Sequence, residues 1–273
     1  MYQNHFGLKE LPFNITPDPK YLFRSPTHEE ALQHLRYGIR EKKGFIVLTG
    51  EVGCGKTTLS RTLLSELDAN PTYQTALLIN TQITETQLVR SILSELGYEP
   101  RSRSKGEMLE ALNYILLEKI AQKKNIVLFI DEAQNLSFEV LEQIRLLSNL
   151  EAEDQKLMQI VLMGQPELDA KLAERRLRQL RQRILVYYQL RALNRMETAR
   201  YIEYRLDQAG AAGDVILTPS ATRLIHRKSR GIPRLINNLC DKSMLSAYVR
   251  ESDRVERRDV RRAAKEMKTM LSS

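Results

Sequence analysis

An octapeptide, Gly50-Glu51-Val52-Gly53-Cys54-Gly55-Lys56-Thr57, lies between a short apolar run and an amphipathic one. No other feature narrows the fold as much. It fits G-x-x-x-x-G-K-S/T, the pattern of a phosphate-binding loop. The glycines let the backbone wrap with its N–H groups turned inward toward phosphate oxygens. The helix that follows brings the positive end of its dipole to the same place. Lys56 has the reach for β- and γ-phosphates, and the Thr57 hydroxyl suits Mg²⁺. Residues Gly44-Phe45-Ile46-Val47-Leu48-Thr49 read as a buried strand, and Thr58 to Leu67 carry apolar residues at helical spacing. Strand, loop, helix is the setting such a loop requires, so a nucleoside triphosphate with its Mg²⁺ is the expected ligand.

The rest of the chain continues that alternation. Strands are predicted at 45–49, 75–80, 126–130, 159–163 and 184–189. Helices are predicted at 27–42, 56–67, 84–96, 105–122, 137–149 and 166–180. Alternating strands and helices imply a five-stranded parallel sheet covered on both faces, the three-layer αβα arrangement of P-loop NTPases. After about residue 190 the strands stop. Helical patterns at 194–209, 218–229, 232–250 and 256–270 follow, punctuated by Gly210, Gly213, Gly231 and Pro233. The expected division is a nucleotide-binding domain over 1–190 and an all-helical domain over 191–273. Residues 1–27 read as irregular, since Leu11 to Pro19 carries three prolines, too many for a helix or central strand. Their apolar side chains (Phe6, Leu8, Leu11, Phe13, Ile15, Tyr21, Leu22 and Phe23) predict a packed arm. Thr27, with Glu30 three residues on, reads as the N-cap of the first long helix.

A phosphate loop by itself gives binding; hydrolysis also needs a carboxylate on the metal side and a group that orients water. Ile126 to Ile130 is an apolar strand ending in Asp131-Glu132. Ligands of open α/β sheets bind at the carboxyl ends of strands. Asp131 is therefore a candidate for the Mg²⁺ shell and Glu132 for the general base. The alternative is that the pair merely caps the next helix. At the end of the following strand, Gln165 either senses the γ-phosphate or simply belongs to the helix-starting turn Gly164-Gln165-Pro166.

The chain carries 42 Lys and Arg against 34 Asp and Glu, a net charge of +8. Residues 171–205 hold ten basic residues against three acidic ones, and 250–268 hold eight against five. Such stretches are either solvated helix faces and subunit-boundary arginines or a surface for nucleic acid or an acidic partner. No run has the roughly 18 apolar residues of a membrane span, and the N-terminus lacks a signal-peptide pattern. This reads as a cytoplasmic chain without direct membrane insertion. Its two cysteines, Cys54 and Cys240, form neither a disulfide framework nor a metal site.

These parts, in this order, resemble the AAA+ ATPases, and within them the ExeA/GspA group, the general secretion pathway protein A family, including short members such as the MSHA pilus biogenesis ATPase. The opening Met1-Tyr2…Phe6-Gly7-Leu8…Pro12-Phe13…Thr16-Pro17-Asp18-Pro19 carries the resemblance. So do Asp131-Glu132-Ala133-Gln134-Asn135-Leu136, Leu146-Leu147-Ser148-Asn149-Leu150, Gly164-Gln165-Pro166-Glu167-Leu168, Leu180-Arg181-Gln182-Arg183-Ile184 and Gly231-Ile232-Pro233-Arg234. Together they span about residues 1–265.

The resemblance implies ATP or ADP with Mg²⁺ as ligands. ATP contacts would run along Gly50, Glu51, Val52, Gly53, Cys54, Gly55, Lys56, Thr57 and Thr58, with Thr57 and Asp131 on the metal. It makes the helical domain an AAA+ lid whose Arg234 meets the γ-phosphate in cis. Arg183 is the implied finger offered to a neighbouring subunit, with Arg181 and Arg178 as fallbacks. Gln165 becomes the polar residue of the fourth strand, and the N-terminal arm becomes the segment that cradles adenine. ATP-promoted homo-oligomers are implied, as is recruitment to the inner membrane by partners. Longer members continue into a membrane span and a peptidoglycan-binding domain. This chain, ending at Ser273, is expected to be a short member acting through partners or an ATPase module.

Two functions compete. One is a Mg²⁺-dependent ATPase that drives assembly or remodelling of a secretion or pilus machine, with envelope proteins as partners and turnover indifferent to DNA. The other is a DNA-dependent AAA+ regulator of the Tn7-type transposition kind, binding duplex DNA with an affinity that falls steeply with salt. Scarce aromatics and the lack of a DNA-reading helix after the lid weigh against the second.

Overall fold

A computed structural model describes residues 2–14, 19–21, 23–152, 155–211 and 216–271. Ile15, Leu22, the Thr16-Pro17-Asp18 segment and Gly213 lie outside them. The chain starts with a short helix α1 (Tyr2–His5) and a long helix α2 (Pro26–Arg40). Strand–helix alternation follows: β1 (Phe45–Gly50), α3 (Lys56–Asp68), β2 (Tyr73–Leu78), α4 (Glu85–Glu95), α5 (Lys105–Ala121), β3 (Asn125–Ile130) and α6 (Phe138–Leu147). Next come a two-stranded hairpin β4 (Glu151–Ala152) and β5 (Gln155–Lys156), then β6 (Met158–Gly164), α7 (Pro166–Ala173), α8 (Arg178–Arg181) and β7 (Ile184–Leu190). Helices α9 (Arg195–Gln208), α10 (Pro219–Ser229), α11 (Pro233–Val249) and α12 (Arg257–Leu271) close the chain.

Two compact units result. One holds residues 29–50 and 59–190; the other holds 1–28, 51–58 and 191–273. In the first, five parallel strands lie in the order β2-β3-β6-β1-β7. Phe45, Val47, Ile126, Leu128, Ile130, Ile160 and Leu162 join one large apolar cluster with residues of α4 to α8. The alternate residues Ile46, Leu48, Val127, Phe129, Val161 and Met163 are equally buried. Both faces of the sheet are therefore covered, which is why these strands read as continuous apolar runs. On β1, Gly38 of α2 lets the helix come close: a Cβ there would stand 2.6 Å from Ile46 Cδ1.

In the second unit, α9 to α12 enclose a separate core around Ile202, Leu224, Ile236, Leu239, Met244 and Val260. Tyr2, Leu8 and Phe13 of the arm belong to that core. The buried Arg205 secures the arm: Nε donates to Pro12 O at 2.5 Å and Nη2 to Asn14 O at 3.1 Å. Helix starts follow the cap chemistry. Asn194 and Glu197 form a capping box on α9, and Thr218 caps α10 ahead of Pro219. Among the described residues no helix is long and apolar enough to cross a membrane.

Several expected boundaries differ. α2 begins at Pro26, and its cap is Ser25, whose Oγ accepts from His28 N at 3.3 Å. Thr27 is not the cap; its hydroxyl is buried without a partner. Proline at the first helical position, where no N–H is needed, moved the start back. β2 spans 73–78, so Ile79 and Asn80 fall outside it. The helix predicted over 166–180 is broken at Glu174, whose ψ of 144° is extended, and resumes through a 3₁₀ turn into α8. Leu168, Leu172, Leu177 and Leu180 are all buried. The five-residue step from 172 to 177 would turn Leu177 well off the face of an unbroken helix, so the break restores the apolar face.

Candidate nucleotide-binding and hydrolysis site

The phosphate loop sits between β1 and the first turn of α3. Gly53 and Gly55 take φ of 80° and 102°, values that side chains avoid. A Cβ on Gly53 would lie 2.5 Å from Arg234 Cβ, and one on Gly55 would lie 2.9 Å from His28 Nε2. The same two neighbours hold the loop. Arg234 N donates to Gly53 O at 3.2 Å, and His28 Nε2 donates to Cys54 O at 3.0 Å. Since Nε2 faces a carbonyl it must carry the proton, so Nδ1 accepts from the Ser25 hydroxyl at 2.7 Å. Burial pushes the His28 pKa down, partly offset by the Cys54 carbonyl. Lys56 is buried, and its Nζ donates to Glu51 O at 3.1 Å across its own loop. Burial pushes the Cys54 thiol up to about 11. It is a packed, unreactive sulfur, and both cysteines are free thiols.

The carboxylates occupy the C-terminal edge of the sheet. Asp131 follows β3 and is buried; its Oδ1 accepts from Glu132 N at 2.9 Å. Glu132 takes a left-handed conformation (φ 53°, ψ 36°), rare for a side-chain-bearing residue and costing about 1–2 kcal/mol. The Thr81 hydroxyl, just beyond β2, donates to Glu132 O at 3.1 Å and anchors that turn. Two amides converge on the carboxylate: Gln134 Nε2 donates to Glu132 Oε2 at 2.6 Å and Gln165 Nε2 to the same oxygen at 2.9 Å. Gln165 N in turn donates to Gln134 Oε1 at 3.0 Å, and Lys171 Nζ donates to Gln134 O and Leu136 O. Glu132 Oε1 accepts no hydrogen bond among the described residues. Gln165 therefore contacts the carboxylate, and Gln134 joins it on equal terms. Gln134 lies in the Asp131–Leu136 motif but with no role assigned to it there, and Thr81 and His28 are ordinary polar residues at ordinary spacings.

The three candidate finger arginines differ. Arg183 donates to Ser148 Oγ at 3.0 Å and to Asn149 Oδ1, so it is engaged at the end of α6. Arg181 donates to Ala173 O at 3.1 Å. Arg178 is exposed and its side chain makes no hydrogen bond or ion pair among the described residues.

Residues 39–172 match a family described as AAA domain. Over 269 residues, 98 % of the chain, the sequence is 44 % identical to General secretion pathway protein A from Aeromonas hydrophila. The chain carries an AAA domain and is similar over nearly its whole length to general secretion pathway protein A. It spans about half the length of that relative, 48 %. Solved AAA+ structures share its fold. The Cdc6p protein of Pyrobaculum aerophilum superposes with a TM-score of 0.74 at 19 % identity, covering 93 % of this chain and 70 % of that one. The ORC2 protein of Aeropyrum pernix, solved in ADPNP–ADP complexes, gives 0.69 at 18 % identity, covering 94 % and 72 %.

Proposed function

We propose that this AAA+ chain couples Mg²⁺-dependent ATP binding and hydrolysis to the assembly or remodelling of a secretion or pilus machine. The carrying observation is the Glu132 carboxylate, fixed by two amides at the carboxyl edge of the sheet in a chain this similar to a secretion-pathway protein. The donor set fits Mg²⁺. The Thr57 hydroxyl and Asp131 carboxylate are hard oxygen ligands, and Mg²⁺ typically takes one or two such groups plus phosphate oxygens. Among the described residues no group of three or more His, Cys, Asp or Glu could cage another metal. Thr57 and Asp131 would hold the Mg²⁺, which would supply positive charge to offset that of the phosphates.

The chain's own residues do the rest. Backbone N–H groups of Gly50 to Thr58 cradle ATP or ADP phosphates, and Lys56 turns its ammonium to them. Glu132 takes the proton of the attacking water on Oε1, the oxygen its amide partners leave free. Gln165 ties the water-orienting carboxylate to the end of β6. Arg234 carries the γ-phosphate contact from the helical domain, taken as 191–273, with the N-terminal arm beside adenine. A second copy of the chain supplies the remaining positive charge. Arg178 serves there without breaking an intramolecular bond, whereas Arg183 first releases Ser148 and Asn149. Envelope proteins are the proposed partners and recruit the chain to the inner membrane.

Steady-state ATPase assays with Mg²⁺ and with EDTA, beside light-scattering mass with a non-hydrolysable ATP analogue, test this reading. Mg²⁺-dependent turnover and an ATP-promoted oligomer are expected. A monomer without turnover in Mg²⁺ overturns it.

A further inference from the structure

The helical unit carries a groove that ATP chemistry does not use. Helix α10 presents Ser220, Arg223, Leu224 and Arg227 on one face, at i, i+3, i+4 and i+7. α10 packs against α9 and α12, whose first residues, Arg195 and Arg257, flank that face. With His226 these side chains line a groove of about 420 Å³. Four guanidiniums face it and no carboxylate does. The side chains of Arg195, Arg227 and Arg257 are exposed and make no hydrogen bond or ion pair among the described residues. Arg223 donates to Pro219 O of its own helix at 3.2 Å. Glu203 and Asp207 lie in the adjoining cleft, which shares Arg195 and Arg223.

The ordinary reason for basic residues on helices is to complement the negative C-terminal end of the dipole. That reason accounts for the lysine-lined cleft formed by Lys42, Lys123, Lys124 and Lys156, where Lys42 follows α2 and Lys123 and Lys124 follow α5. It also suits Arg227 in the last turn of α10. It fails for Arg195 and Arg257, which stand in the first turns of α9 and α12, where positive charge is unfavourable. Solvent and counterions can screen exposed charges of this kind, but four guanidiniums around one groove, two of them against the dipole, also make a ready site for a polyanion.

We propose that this groove binds the phosphate backbone of duplex nucleic acid. Guanidinium groups form bidentate, charge-assisted bonds with phosphate oxygens. Arg223 and Arg227, about 6 Å apart along the helix axis, can serve neighbouring positions on one strand. No Phe, Tyr or Trp lines the groove and His226 is its one ring, so it lacks the row of stacking platforms that single-strand binders use. Its one aliphatic residue, Leu224, is buried, so nothing is offered to a bilayer. Backbone contacts of this kind position a protein without reading sequence.

The test uses the full chain and a short labelled duplex of mixed sequence, with fluorescence anisotropy from about 50 to about 200 mM salt. Arg223→Ala with Arg227→Ala is expected to weaken binding roughly 10-fold or more. It should also flatten the slope of log K against log salt by about 2, one unit per lost phosphate contact. Basal ATPase and melting temperature should stay unchanged. Arg101→Ala with Arg103→Ala, exposed on the loop before α5, removes the same charge and should change binding little. Equal losses from both pairs, no duplex binding at the lower salt, or capture by phosphatidylglycerol vesicles in place of the duplex would each overturn the proposal. The proposal does not rest on ATP hydrolysis, so its failure leaves the ATPase reading standing, and the reverse.

Discussion

The phosphate loop and the carboxylate edge are held in opposite ways. Gly53 and Cys54 are fixed by backbone and side-chain partners from distant parts of the chain, Arg234 and His28. Glu132 is fixed by near neighbours: the Asp131 carboxylate, Gln134 two residues on, and Gln165 at the end of the adjacent strand. The loop is therefore complete only when the first turns of α2 and α11 are folded. The carboxylate edge needs only the sheet. Ligand affinity should respond to changes far away in sequence, and turnover to changes close by.

Glu132→Gln gives the largest split between the two. Loss of a general base costs typically 10²–10⁴-fold in rate, so kcat should fall by about that much while ATP affinity is retained. Lys56→Ala should do the reverse and abolish nucleotide binding. Fluorescent-nucleotide titration beside steady-state turnover reads both, and a Glu132→Gln protein that turned over ATP like the parent would remove Glu132 from the mechanism. Gly53→Ala comes next. Its Cβ would meet Arg234 at 2.5 Å with φ at 80°, and a strained left-handed residue costs about 1–2 kcal/mol before the clash is counted. ATP affinity should drop about 10-fold or more, with kcat at saturation much less affected. Equal loss in both quantities would erase the contrast between loop and edge.

Gln134→Leu sharpens the local half of the comparison. It removes one of two amide donors to Glu132 Oε2 and the acceptor for Gln165 N. The expectation is a fall in kcat of roughly 10-fold, about 1.4 kcal/mol of transition-state stabilisation, with KM unchanged. Gln134→Glu should be worse, because it sets a second carboxylate against Glu132. An unchanged kcat in the leucine variant would show that Gln165 alone positions the base.

The same contrast explains what was legible beforehand. The half-exposed edge strands β2 and β7 could be read from their shorter apolar stretches, and the loop because phosphate contact demands glycines at fixed spacing. The central strands β1, β3 and β6 could be read because buried parallel strands are apolar runs. Asp131 and Glu132 could be read because they end such a run. Gln134, Thr81 and His28 could not. Each acts through a partner brought close only by the fold, and none breaks a local pattern. The break at Glu174 was in principle visible in the five-residue step from Leu172 to Leu177, which no continuous helix tolerates. The Ser25 cap was masked by Thr27, a better-looking residue two positions too late.

His28 offers the gentlest test of the distant half. Its imidazole is buried between Ser25 Oγ and Cys54 O, near Glu197 and Arg191, and burial holds its pKa below the ordinary value. The unfolded chain takes up this proton near pH 6.5, while the folded chain resists it to lower pH. Its neutral form therefore costs nothing above about pH 6.5, and stability is lost as pH falls from there through the folded value. The melting temperature and ATP affinity of the parent should both decline between pH 7.5 and 5.5. His28→Gln keeps an amide donor for Cys54 O without a titrating ring, so its decline should be shallower by a few degrees. Parallel melting curves for the two proteins would mean that the loop is held by Arg234 alone, and that the His28 ring contributes packing but no control over the phosphate site.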